Sequence, residues 1–374
     1  MSEKLNIPYG YTKTWNPTDV WNIYDILPNP EKLAKDKVKI GIIGLGGVAQ
    51  GKHLPAISRL ISTGEQVEVV GVTEPRQEVA DKVEAQYGFK CYQDYQDLIK
   101  NVEMDGVLVL TQPSEPRKEI IREAIDRNIH VLAEKPLLFD GIESLEDTLK
   151  KAAELCKYAE EKEKILMTGF MKRYSPPYGN AHYLIQEGKI GKPAMLVAKM
   201  CQGWAGNCLL EAQTCHLIDV IRYLMGDVKS VMALGANVFG EKDYPADNLI
   251  LNFEFEDGGI GVLYQNSTGM ILKPWEYLEV HGDGKWLSVN DFYELNLYDS
   301  EEGPAKQWRP TLPNTLMFDT EFNGFTGELL NFFNSIRGVE EPLVTGWDGY
   351  KALEIAVASH RSLKENSKKI LLPL

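Results

Sequence analysis

The sequence predicts an α/β protein of two domains: a doubly wound parallel sheet first, then an α+β domain built on a mainly antiparallel sheet. Three observations carry this. From residue 38 to about 170, short apolar runs rich in β-branched residues alternate with polar, helix-forming segments. That alternation marks parallel strands covered by helices on both faces. After about residue 172, strands alternate residue by residue around Gly-containing turns, as antiparallel hairpins do. Finally, 374 residues exceed what one core usually supports.

In chain order, "VKIGIIGLG" (38–46), "VEVVGVT" (67–73), "GVLVLT" (106–111) and "HVLA" (130–133) read as strands. "PRQEVADKVEAQYG" (75–88) and "PRKEIIREAIDRN" (116–128) read as helices between them. "SLEDTLKKAAELCKYAEEKEK" (144–164) is a long amphipathic helix, and "ILMTGF" (165–170) a further strand. In the second part, "DNLILNFEFEDGGIGVLYQNS" (247–267) and "EYLEVHGDGKWLSV" (276–289) read as hairpins. Two helices, around 325–337 and 347–364, precede the final "KILLPL". Residues 1–37 show neither period but carry Tyr9, Tyr11, Trp15, Trp21 and Tyr24. Disordered tails are poor in aromatics, so this arm is expected to lie against its own domain or a neighbouring subunit. The division is an arm (1–37), a nucleotide-binding domain (38–172) and a substrate and oligomerisation domain (173–374).

Net charge is −14, which disfavours nucleic acid and anionic membranes, both of which need clustered Lys and Arg. No apolar run approaches the roughly 18 residues of a membrane span, and "MSEKLNIPYG" lacks the features of a secretory signal. Five scattered cysteines (Cys91, Cys156, Cys201, Cys208, Cys215) suggest reduced thiols and a cytoplasmic location. Cys208, Cys215 and His216 lack an accompanying C-x-x-C pair, so no metal is expected.

"GLGGVA" (44–49) is a G-x-G-x-x-A element directly after the first strand and at the opening of a helix, the context that makes it a dinucleotide site. Gly44 permits the tight turn, Gly46 lets the backbone approach a pyrophosphate, and Ala49 allows close helix–strand packing. The helix N-terminus, with Gly47 and Val48, offers free N–H groups and a partial positive charge to phosphate. Glu74, ending the second strand, is placed to accept from the adenosine ribose hydroxyls. Its carboxylate would repel a 2′-phosphate and so favours NAD over NADP, although Arg76 could bind that phosphate or stack on adenine. Thr111, Gln112 and Pro113 close the third apolar strand at the carboxyl edge of the sheet, where cofactor and substrate meet.

"HVLAEKPLLFD" (130–140) puts Glu134, Lys135 and Pro136 at that same edge, where Glu134 and Lys135 are expected to line the cofactor as well. A lysine there can hydrogen-bond a substrate oxygen and stabilise the alkoxide that develops as hydride leaves; the alternative is a surface ion pair with Glu134. "CHLIDVIRYLMG" (215–226) reads as a helix whose His216, Asp219 and Tyr223 share one stripe. His216 with Asp219 one turn along makes a candidate acid/base pair, the Asp holding the tautomer; the alternative is a structural contact. In "QGWAGN" (202–207), Trp204 and Asn207 suit stacking and hydrogen bonding to a sugar.

Taken in order, "IGIIGLGGVAQGKHLPAI", "VLAEKPL", "MTGFMKRYSPPY", "GKIGKP", "HLIDVIRYLMG" and "GELLNFFNSIRGVEEPLVTGWDGYKALEIAVASHRS" resemble the Gfo/Idh/MocA oxidoreductases over about residues 38–374. The resemblance implies a Rossmann domain, a C-terminal α/β domain with a large open sheet that packs against another subunit, and hydride transfer between NAD(P) and a hydroxyl or carbonyl of a sugar or polyol. It makes Lys135 the lysine of the EKP element, His216 the acid/base histidine and Asp219 its following acid. Arg173 falls where relatives often face substrate, and the Lys135–Pro136 bond is often cis. Two departures stand out. Relatives often carry Asp four residues before the histidine, where this chain has Ala212 between Glu211 and Gln213, leaving Gln213 as a substrate-binding match. They also often carry a histidine where this chain has Arg117. The expected function is NAD-dependent oxidation of a secondary hydroxyl of a sugar or glycoside, with C3 of a pyranose favoured. The alternatives are an inositol or polyol dehydrogenase, a keto-sugar reductase, and a non-catalytic NAD-binding sensor or regulatory subunit.

Overall fold

The computed structural model describes residues 3–6, 12–15, 36–112, 116–201, 209–238, 246–266, 275–291, 294–300, 305–308 and 319–374. Near the start, β1 (Glu3–Asn6) and β2 (Thr12–Trp15) pair antiparallel with each other. Tyr9, Tyr11, Trp21 and Tyr24 of the expected arm lie outside the described residues.

Six parallel strands form the first sheet: β3 (Val38–Ile43), β4 (Val67–Thr73), β5 (Cys91–Tyr92), β6 (Gly106–Val109), β7 (His130–Glu134) and β8 (Leu166–Gly169). Between them run α1 (Leu54–Ser62), α2 (Gln77–Tyr87), α3 (Tyr95–Asn101), α4 (Arg117–Asp126) and α5 (Leu145–Glu161). The order is β5-β4-β3-β6-β7-β8. The chain winds outward from β3 in one direction, returns, and winds outward from β6 in the other. The order reverses between β3 and β6, and a doubly wound sheet binds its ligand at the carboxyl end of that reversal. Ile40, Ile42, Val107 and Leu108 are fully buried, as strands covered on both faces require. β5 and α3 have no counterpart among the expected elements, because a two-residue edge strand leaves no apolar run to read.

The second sheet has nine strands: β9 (Met195–Cys201), β10 (Val228–Ala236), β11 (Asn248–Phe255), β12 (Ile260–Asn266), β13 (Glu276–His281), β14 (Trp286–Asn290), β15 (Glu294–Tyr298), β16 (Lys306–Trp308) and β17 (Ile370–Leu371). They lie in the order β16-β15-β14-β13-β9-β12-β11-β10-β17. Every pairing is antiparallel except β9 with β12, so the sheet is mixed and mainly antiparallel. Both expected hairpins are present, as β11–β12 and β13–β14. The remaining helices are α6 (Pro176–Gln186), α7 (Cys215–Met225), α8 (Asp319–Asn323), α9 (Phe325–Ile336) and α10 (Gly346–Lys364). α6 packs on β14 and β15, and α7 on β9.

α10 joins the two sheets, touching α5 and β8 of the first and β10 of the second. The approach is close at Gly349, where a Cβ would sit 2.3 Å from Thr168 Oγ1. On the other face of the second sheet, Leu234, Ile250 and Tyr264 stand opposite one another across β10, β11 and β12. They are 56 %, 40 % and 43 % exposed, a contiguous apolar row larger than scattered surface residues produce.

Candidate active site

The glycine loop leaves β3 at the order reversal. Gly44 has φ of +94°, and a Cβ there would meet Thr111 N at 3.0 Å, so both conformation and space require glycine. A Cβ at Gly46 or Gly47 would meet nothing within 4 Å, so the loop stands clear of neighbouring groups at both positions. Val48 precedes a π-helical turn, Ala49–His53, that leads into α1. Ala49 is fully buried against the sheet. Glu74 ends at the same crevice and is buried. Its Oε2 accepts from Leu45 N–H at 3.0 Å, and Arg76 forks across both oxygens at 2.6 and 3.0 Å. Burial works against the charge, yet the bonds from Arg76 and the Leu45 N–H hold the carboxyl below its ordinary range. With its charge matched by Glu74, Arg76 offers a 2′-phosphate little net attraction. Open space at the glycines, free helix N–H groups and an ionised Glu74 together fit NAD.

β7 delivers the lysine. The Lys135–Pro136 peptide is cis. Glu134 is 5 % exposed, which rules out the surface-loop alternative for this pair. Its Oε2 accepts from the Lys135 backbone N–H at 3.0 Å, and its Oε1 is 2.8 Å from His53 Nε2. Burial opposes the Glu134 charge, but His53, then Lys135 and Arg117, keep the carboxyl below its usual range. His53 is fully buried and meets Phe325 edge-on at 5.1 Å. Glu134 thus holds the lysine's backbone N–H with one oxygen and His53 with the other. Thr111 lies just past the end of the neighbouring β6 with its hydroxyl sealed from solvent, Gln112 is exposed, and Pro113 lies outside the described residues.

α7 brings His216 against Phe170, the residue that follows β8, the strand paired with the lysine's β7. A π-helical turn, Leu209–Thr214, runs into α7. His216 is partly exposed and meets Phe170 edge-on at 6.3 Å. Its Nδ1 is sealed and has no hydrogen-bond partner among the described residues. Burial, then the positive charges of Lys135 and Lys172, push the imidazole well below 6.5. The ring is neutral at pH 7 and available as a proton acceptor. Lys172 is buried in an ion pair with Glu276, whose other oxygen accepts from Tyr178 O–H at 2.6 Å. The sign of the pH effect follows. Since the folded protein disfavours the imidazolium, stability falls as pH drops below about 6.5, where the unfolded imidazole takes its proton. Activity in the oxidative direction is expected to hold down through pH 6.5, with its acid limb lower. A kcat/KM profile whose limb centres at or above 6.5 would remove His216 from the role of base.

Several expected site residues stand elsewhere. Asp219 is fully buried, but both its oxygens bind Arg173, at 2.9 and 2.6 Å, not His216. Burial pushes its carboxyl up to about 6 against the pull of that arginine. Arg173 does not face a substrate pocket: it is 6 % exposed and also binds Asp348 at 2.8 Å and the Leu343 carbonyl at 3.1 Å. Tyr223 stacks on His182 at 3.8 Å, with Arg173 over its ring at 5.1 Å. The shared stripe misled because seven residues of helix span about 10 Å along the axis; His216 reaches the crevice while Tyr223 reaches α6. Glu211 is bound to His360 of α10 at 2.7 Å. Gln213 is half-buried beside the histidine, its Oε1 without a partner among the described residues. Trp204, Asn207 and the Ala212 side chain lie outside the described residues. The sequence reading missed His53, Lys172 and the inward turn of Arg117. The first lies in the quoted "GKHLPAI" and the second in "MKRY", but neither has a local pattern that separates a buried polar group from a surface one.

Comparison with known proteins matches both halves. Residues 38–170 fit the Gfo/Idh/MocA model described as an oxidoreductase family with an NAD-binding Rossmann fold, and 183–372 fit its C-terminal alpha/beta domain. The chain is 26 % identical over 347 residues to the myo-inositol 2-dehydrogenase of Thermotoga maritima, covering 88 % of this chain and 97 % of that one. It is also 26 % identical over 349 residues to the NAD⁺ scyllo-inositol 2-dehydrogenase of Bacillus subtilis, covering 88 % and 94 %. In fold it is similar to a levoglucosan dehydrogenase solved with NADH and levoglucosan, with a TM-score of 0.79, 20 % identity, and coverage of 90 % and 100 %. With its doubly wound sheet, glycine loop and second mixed sheet all matched, the chain belongs to the NAD-binding Gfo/Idh/MocA oxidoreductase family.

Proposed function

We propose that this protein transfers hydride between NAD and a secondary hydroxyl or carbonyl of a sugar, glycoside or cyclic polyol, with Lys135 and His216 as the groups that touch the reacting oxygen. The observation that carries this is their convergence: Lys135 follows Glu134, which pairs with Gly169 of β8, and the next residue, Phe170, meets the His216 ring on α7 edge-on at 6.3 Å. NAD supplies the hydride acceptor. Lys135 hydrogen-bonds the oxygen and stabilises its developing negative charge, while His216 takes the hydroxyl proton; in reduction the proton runs the other way. Gln213 flanks the histidine as a hydroxyl-binding group. Asp219 holds Arg173 and takes no proton from His216. The matched segments support the division at about residue 172.

Names among the similar proteins support the substrate class: inositols and levoglucosan are rings of secondary hydroxyls. C3 of a pyranose or glycoside is the position to test first. The test mixes purified protein and NAD⁺ separately with hexoses, inositols, sugar acids and aryl glycosides, reading NADH by absorbance and protein-bound fluorescence, with the oxidised carbon located by NMR. Turnover with a sugar or glycoside and oxidation at C3 supports the reading; turnover with inositols alone moves it to a polyol dehydrogenase. Silence across the panel with NAD binding intact leaves the keto-sugar reductase or a sensor.

The row Leu234, Ile250 and Tyr264 supports a second copy as partner. Burying what remains exposed of such side chains contributes a fraction of the about 1.5–3 kcal/mol of full burial each, and a buried charge opposes it, so Ile250→Glu is expected to convert an oligomer to a monomer in light scattering. A wild-type monomer at micromolar concentration would remove this partner.

A further inference from the structure

We propose that Arg117 is a positioning residue for the reaction: its guanidinium grips the backbone on both sides of Lys135 and so aims the lysine at the reacting oxygen. This rests on the role given above to Lys135. Arg117 opens α4, where a long cationic side chain normally reaches water. Here it turns inward and is 1 % exposed. Nη1 donates to the carbonyls of Glu134 and Pro136, at 2.7 Å for the latter, and Nη2 donates to the carbonyl of Thr111.

The first two acceptors flank Lys135, so a single nitrogen closes the turn that carries it. The third ties that turn to the loop just after β6, the strand beside the order reversal. From the other side, the Glu134 carboxylate accepts the Lys135 N–H, with His53 behind it. The lysine's backbone is thereby held at its own N–H and at the carbonyls before and after. A rigid planar fork suits three fixed carbonyls; a single ammonium on a flexible stem does not. Burial lowers the guanidinium to about 10, so the cation persists at working pH.

The test compares wild type, Arg117→Lys, Lys135→Ala and the double variant, with folding checked by thermal melting and NAD⁺ affinity by fluorescence titration. Lys135 placement is read without any substrate, as acetylation by acetic anhydride with and without saturating NAD⁺, quantified by peptide mass spectrometry. NAD⁺ is expected to shield Lys135 in wild type and to fail to shield it in Arg117→Lys, at unchanged NAD⁺ affinity. With a substrate from the panel, kcat should fall by about 10²-fold, the scale of a misplaced group, with KM for NAD unmoved. The double variant should turn over no more slowly than Lys135→Ala alone, since both changes act through one residue. Equal shielding in wild type and Arg117→Lys overturns the proposal, as does a double variant slowed by the product of the two single effects. A wild type in which NAD⁺ gives no shielding overturns instead the assignment of Lys135 to the active site. If Arg117→Lys does not fold, Arg117→Gln, which keeps two N–H donors, carries the same comparison.

Discussion

Lys135→Ala is expected to lower kcat by about 10² or more, the scale for losing an electrostatic group at a developing charge, while leaving NAD binding in place. In the proposed reading the phosphates lie at the loop of Gly46 and Gly47 and the ribose near Glu74, positions that alanine at 135 leaves unchanged. The lysine's backbone bond to Glu134 also survives, because it uses the N–H. The loss should therefore fall on the chemical step. Steady-state kinetics with the best panel substrate, beside an NAD titration of the variant, checks this. A fall of less than about tenfold would mean that the oxygen is stabilised elsewhere.

Arg173→Met is expected to cost about 3–5 kcal/mol of stability at neutral pH, the usual cost of leaving a buried charge without its partner. The guanidinium joins three segments: its own turn after β8, α7 through Asp219, and the start of α10 through Asp348. Methionine fills similar volume and offers no donor, so two carboxylates lose their principal cation. The sign of the pH dependence follows. Without Arg173 the carboxyl of Asp219, already pushed up to about 6 by burial, moves higher still. At pH 8 the variant must either bury the charge without Arg173 or take up a proton from a solution poor in them, whereas at pH 5 the group is already protonated and the penalty shrinks. Urea unfolding at both values should show the gap between wild type and variant narrowing toward pH 5. A gap independent of pH would assign the loss to packing.

The sequence and the structure agree where pattern is local. The parallel strands at 67–73 and 130–134, the long helix at 145–161, and the two hairpins were all legible because burial on one or both faces imposes a period. The glycine loop was legible for a different reason: a positive φ at Gly44 and the close approach of Thr111 leave a single residue type. Lys135 stood out because a charge and a proline at the end of an apolar strand have no packing purpose. Asp219 and Tyr223 misled because their spacing described only their own helix, and Arg173 because the resemblance gave its place in the chain and not its partners, one of which lies 175 positions away.

By itself, then, the sequence determined the two-domain α/β architecture, the nucleotide crevice and the lysine at its edge, since each is written in a period, a backbone conformation or a short motif. Only the tertiary structure decided which carboxylate meets which cation. Asp219 binds Arg173 and leaves His216 without it; Glu134 binds the backbone of Lys135; Arg117 turns inward to three carbonyls. These pairings are set by which elements the two sheets bring within about 3 Å of one another, and a charge's identity in the chain carries no record of that distance.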